Sequence, residues 1–120
     1  MLFRSRIWLA AVDEGVEGLR VVLRQLRAQP GGLHAGALLC LADRIAALGL
    51  TVDASELESL EAELTASPEA EDRYLALRAL QASCTRVRWT IDQLERLKRF
   101  REDVSPLVAS HAQSFLLPWE

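Results

Sequence analysis

Apolar residues recur at alternating spacings of three and four in several separate stretches, and this periodicity commits the chain to α-helix. In the first stretch Leu9, Val12, Val16, Leu19, Leu23 and Leu26 are separated by 3, 4, 3, 4 and 3 residues, the a/d seam of a helix that buries one stripe. Asp13, Glu14 and Glu17 come before Arg20, Arg24 and Arg27 on its flanks, the order that complements a helix dipole. Gly15 and Gly18 each destabilise a helix interior by up to about 1 kcal/mol relative to Ala. With Ala11 they form a small-residue face open to close approach by another backbone, and Trp8 on the same side reads as core. Gln29-Pro30-Gly31-Gly32 is a strong breaker.

Leu38, Leu41, Ile45 and Leu48 repeat the seam in a second helix running from about Leu33 to Leu48. Leu39, Ala42 and Ala46 add a neighbouring stripe, so this helix is expected to be buried over a wide arc, with Gly49 as its C-terminal cap. A third helix is predicted from near Asp53, which stands at capping-box spacing from Glu56. Leu57, Leu60 and Leu64 form its stripe and it ends by Ala66. Ser67-Pro68-Glu69 opens a fourth helix. Leu77, Leu80, Cys84, Val87, Ile91 and Leu94 then continue the 3-4 spacing, which predicts an unusually long helix of about 33 residues to Arg101. Such a helix is about 50 Å long, more than the diameter of a compact domain of this size, so it must break, kink or protrude. Ser105-Pro106 opens a short C-terminal helix extending to about Leu116. The expected fold is all-α: one domain over residues 1–120, an antiparallel bundle of four main helices plus a short terminal one.

Composition supports this. Leu and Ala supply 39 of 120 residues, and both are strong helix formers. A chain of this length buries enough surface to fold without metal or disulfide. Basic residues are almost all Arg and Asn is absent, the codon signature of a GC-rich, bacterial genome. The apolar run before Asp13 is too short for a signal peptide, and no stretch approaches the roughly 20 apolar residues of a membrane span. A cytoplasmic protein with no membrane contact is expected. Cys40 and Cys84 sit among apolar neighbours and read as buried free thiols.

Motifs that carry chemistry are missing. His34 and His111 stand alone, with no H-x-x-x-H, H-E-x-x-H or C-x-x-C spacing for a metal. His34 and Cys40 are six apart, on opposite sides of a helix, and make no local nucleophile–base couple. No glycine-rich phosphate loop occurs. We therefore expect no catalytic residues, no cofactor and no metal.

Charge is segregated. Residues 45–72 carry eight acids and no base, whereas residues 73–101 carry eight bases against Asp92 and Glu95. Either the acidic third helix packs beside the basic fourth, or the basic end meets an acidic partner. In the heptad frame set by Cys84 and Ile91, Trp89 and Phe100 fall outside the apolar seam, near Arg96 and Leu97. Trp and Arg are enriched at binding hot spots. Phe115 and Trp119 make the chain's end apolar, either tucked onto the bundle or inserted into a partner. The leading expectation is a non-catalytic protein–protein interaction module (an adaptor, small chaperone or subunit of a larger assembly) that binds another protein or a second copy of itself. Trp89, Arg96, Leu97, Phe100, Phe115 and Trp119 are its candidate contacts. The alternative is a subunit touching nucleic-acid backbone through Arg86, Arg88, Lys98, Arg99 and Arg101 with Arg96. A net charge of −3 weighs against a dedicated nucleic-acid binder.

Overall fold

The computed structural model describes residues 2–84, 89–117 and 119–120, with side chains from Gly15 onward. All regular structure among them is helical: α1 (Leu2–Arg27), α2 (Ala35–Leu48), α3 (Ala54–Thr65), α4 (Ala70–Ser83), α5 (Ile91–Arg101) and α6 (Pro106–Ser114).

The long fourth helix does not exist as one element. Cys84 closes α4 and Thr90 opens α5. Thr90 Oγ1 accepts from Gln93 N at 3.1 Å, and Gln93 Oε1 accepts from Thr90 N at 2.9 Å. This reciprocal capping box satisfies two amides that a continuous helix would have bonded internally. The longest dimension of the molecule is 43 Å, so a straight helix of 33 residues would overrun it. Ile91, expected on the seam, is 77 % exposed, and Val87 lies outside the described residues.

α4 is the hub. It packs against α2, α3, α5 and α6. Leu75, Ala76, Leu77, Ala79 and Leu80 point in different directions around it, yet all are buried, as a helix enclosed on several sides requires. The seams of α2 and α3 face this core, with Leu41, Ile45, Leu57 and Leu60 at or near zero exposure. α2 and α4 approach closely at Gly49, where a Cβ would stand 2.9 Å from the Ala82 carbonyl oxygen. Gly49 is the C-cap of α2 in right-handed geometry, so the glycine serves proximity rather than a left-handed turn.

α1 departs from its expected continuity at Gly15, whose φ of 64° and ψ of −138° interrupt the helix with a kink. L-residues rarely adopt that conformation. After the kink Val16, Leu19, Leu23 and Leu26 are buried as the seam predicts. Trp8, Leu9 and Val12 belong to the portion whose side chains are not described. At the far end of α1, Arg27 pairs with Asp72, a buried carboxylate in the first turn of α4 that also accepts from Ser67 Oγ at 2.6 Å.

Several expected caps differ in detail. Asp53 holds the N-cap position of α3 without a side-chain bond, and α4 begins after Glu69 rather than at Pro68. Ser67 Oγ still accepts from Glu69 N, at 3.1 Å. Cys84 is buried as expected, but Cys40 is exposed. Leu39 and Ala46 are exposed too, so only part of the wide apolar arc of α2 is covered.

Candidate functional site

The candidate contacts lie on α5, just before it at Trp89, and in the segment that follows α6 from its C-cap Phe115, where the structure sorts them into four situations. Leu97 and Phe100 are 1 % and 5 % exposed. They are the core side of α5, which corrects their expected place on an outer face. The reason is the break before α5: it resets the helical phase, so a heptad frame counted from Cys84 no longer applies beyond Thr90. Trp89 is half-buried and its ring lies 5.7 Å from that of Phe115, tilted by 43°. This pair packs against the core and joins the start of α5 to the end of α6.

Arg96 is committed to ion pairs. Its Nη1 donates to Glu61 Oε1 at 2.7 Å, while Glu58 and Asp92 lie at 4.0 Å and 3.2 Å. Glu61 is only 3 % exposed. Burial pushes its carboxyl up to about 7, against the pull of the Arg96 guanidinium. The pair borders an open cleft of about 390 Å³ that also touches Arg73, Arg99, Phe100 and Asp103. Arg73 Nε and Nη2 grip Asp103 at 2.9 Å and 3.1 Å, and Asp103 Oδ1 accepts from Ser105 N at 2.8 Å. Hydrogen bonding from Arg73 holds the Asp103 carboxyl below its ordinary value. This linkage fixes the α5–α6 turn to the start of α4.

Arg101 is a clamp on the chain's final segment. Its Nε donates to the Ala112 carbonyl at 3.1 Å and Nη2 to the Phe115 carbonyl at 2.7 Å. Nη1 and Nη2 also reach the Glu120 carboxylate, at 2.9 Å and 2.7 Å. The same carboxylate accepts from Leu117 N at 2.7 Å. Hydrogen bonds from Arg101 and then Leu117 draw the Glu120 carboxyl down to about 2, so the clamp is ionised across the ordinary pH range. Leu117 is buried beneath it, whereas Leu116 and Trp119 are 66 % and 63 % exposed. The segment is both tucked and displayed, which neither expectation for it described.

Lys98 and Arg99 are exposed, and no ion pair among the described residues engages them. Arg86 and Arg88 lie outside the described residues. His34 caps α2 by accepting from Ala37 N at 3.3 Å. His111 sits edge-on to Tyr74, with ring centroids 4.7 Å apart. Cys84 lies 3.7 Å from Ser83 Oγ, and burial pushes its thiol up, away from the reactive thiolate. Among the described residues no group of three His, Cys, Asp or Glu side chains could hold a metal ion, and no helix is long and apolar enough to cross a membrane.

Sequence reasoning passed over Glu61, Glu120 and Asp103. Glu61 alone left a usable signal: it stands four residues after Leu57 and three before Leu64, on the buried arc of α3. No protein-family profile matches the chain, and neither the curated proteins nor the solved structures provide a match.

Proposed function

We propose that this chain is a non-catalytic protein-binding module. Its docking surface is the apolar display at the end of the chain, with Leu116 and Trp119 outermost and the Trp89–Phe115 pair beneath. The observation that carries the reading is the Arg101 clamp. It anchors the backbone on either side of two large exposed apolar side chains: Leu116 lies between the bonded Phe115 carbonyl and the buried Leu117, and Trp119 stands beside the bonded Glu120. Apolar groups presented in fixed geometry lose little conformational freedom on binding, so more of their burial appears as affinity. Trp is also the residue type most enriched at hot spots. Lys98 lies one helical turn before Arg101 on α5 and adds exposed positive charge, which favours a partner segment with apolar residues flanked by acids.

Nucleic-acid contact is the weaker reading. Arg96 and Arg101 already hold carboxylates and carbonyls, which leaves only Lys98 and Arg99 of that set exposed among the described residues.

A displayed-peptide selection tests the proposal. It is run on the immobilised chain and on a variant carrying Leu116→Asp and Trp119→Ser. Peptides enriched on the wild type and lost on the variant are expected, with apolar and acidic residues interleaved. Identical enrichment on both proteins refutes this docking surface.

A further inference from the structure

α2 and the turn after it carry a second 3-4 seam that the described residues leave uncovered. Gly36, Leu39, Asp43, Ala46 and Leu50 are spaced by 3, 4, 3 and 4 residues, and all five are exposed. Leu39 and Leu50 are each 60 % exposed. Cys40 and Ala47 border the seam and are exposed as well. The opposite side of the helix buries Leu38, Leu41, Ile45 and Leu48 in the core. A helix needing only that one stripe would place polar residues here. Instead the outer seam holds one charge, Asp43, with the half-buried Arg44 beside it.

We infer that this face of α2 joins two copies of the chain as an antiparallel helix pair about a two-fold axis. The charges and side-chain sizes on the face select both the occupant and the direction. A two-fold interface must be self-complementary. In a parallel pair each residue meets its own copy, which sets Asp43 against Asp43, Leu39 against Leu39 and Gly36 against Gly36. In an antiparallel pair centred between residues 43 and 44, Asp43 meets Arg44 of the second copy and Cys40 meets Ala47. Leu50 then overlies the small-residue end at Gly36 and Ala37. Neither Asp43 nor Arg44 is engaged by an ion pair among the described residues. Among the described residues neither α5 nor α6 packs against α2, and no residue of this face belongs to the display at Leu116 and Trp119, so the two proposals stand or fall separately.

α2 has 14 residues, about 21 Å of helix. An interface of that length belongs to the small, reversible class. The test is solution mass by light scattering between about 10 µM and about 500 µM, a range that brackets weak association. The mass is expected to rise from 13.4 kDa towards twice that value. Ala47→Arg, an exposed substitution whose folding is checked by circular dichroism, should hold the mass at the lower figure. Leu116→Asp should leave association unchanged.

Ala47→Cys reports the register. Positions 40 and 47 of one helix are about 10 Å apart along its axis, too far for a disulfide within one copy. Air oxidation with a copper catalyst should therefore give a covalent dimer for Ala47→Cys on a non-reducing gel, lost on addition of reductant, while the wild type stays monomeric on the same gel. A mass of 13.4 kDa throughout the range overturns the inference, as does association that survives Ala47→Arg. Oxidative dimerisation of the wild type through Cys40 would establish the parallel pair and overturn the antiparallel one.

Discussion

Glu61 links the stability of the fold to pH, in a direction opposite to that of most carboxylates. Its ordinary value is 4.5, and in the folded chain burial raises it to about 7 while Arg96 pulls downward. The groups facing it are Arg96 and Asp92 of α5 and Glu58 of its own helix. Below pH 4.5 the carboxyl is protonated in folded and unfolded chains alike. Between 4.5 and 7 the folded chain binds the proton more tightly. Stability from this group is therefore complete at low pH and is lost as the pH rises through 7. A gap of about 2.5 pH units corresponds to roughly 3 kcal/mol. The cleft beside Glu61 is open to solvent, and screening reduces this to about 1–2 kcal/mol.

The perturbation is Glu61→Gln, which keeps the size of the side chain and an oxygen for Arg96 but cannot ionise. Urea unfolding followed by circular dichroism at pH 5.5 and pH 8 gives both stabilities. For the wild type the midpoint should fall by about 1 M over that interval, given the usual urea dependence of small domains. The variant should show a much flatter profile. Comparing the two proteins cancels titrations elsewhere in the chain. Equal pH dependence in both would refute the assignment of a raised Glu61, and with it the claim that the Arg96 pair only partly offsets the burial of that carboxylate.

Two further substitutions test the packing. Phe100→Ala should destabilise the fold by about 3–5 kcal/mol, the range for a buried aromatic, and a loss below about 1 kcal/mol in urea unfolding would return Phe100 to the surface. Gly49→Val should lower stability by about 1–3 kcal/mol, because a Cβ there meets the backbone of Ala82 on the neighbouring helix; an unchanged thermal midpoint would show that α2 and α4 are not so close.

What the sequence disclosed depended on whether a signal was local. Ser105-Pro106 marks the start of α6 because the cap and the fixed φ of proline act within one turn. Leu57, Leu60 and Leu64 predicted their own burial because three positions of one helix share a side whatever surrounds them. The phase of α5 was a different matter. It depends on whether the helix before it continues, and a regular apolar spacing across Cys84 and Ile91 concealed the break. Thr85, Val87, Thr90 and Ile91 put four β-branched residues into seven positions, weak helix formers just where Thr90 and Gln93 offer a cap. Weighing that local evidence above the long-range periodicity would have turned Leu97 and Phe100 inward. The segregated charges are partly resolved inside the fold: Arg96 reaches across to Glu61 of the acidic α3, while Arg73 and Arg101 find Asp103 and Glu120 instead. Tertiary pairings of this kind leave no spacing to read.

The apolar arc of α2 shows why periodicity alone cannot separate a core from an interface. Leu38 and Leu39 are adjacent in sequence and equivalent in chemistry, yet one is 7 % exposed and the other 60 %. What decides between them is the hub. α4 and α1 each offer α2 one contact line, and a cylinder meeting another cylinder covers one stripe only. Any apolar residue beyond that stripe is left to solvent unless a further helix arrives. Burying a side chain of this size removes roughly 1.5–3 kcal/mol of hydration penalty, so Leu39 and Leu50 together represent a substantial driving force that the folded chain does not use. A second α2 is a helix already shaped to fit. It presents Arg44 to Asp43 and the small Gly36–Ala37 end to Leu50, and association is the one step that uses the outer seam without rearranging the inner one.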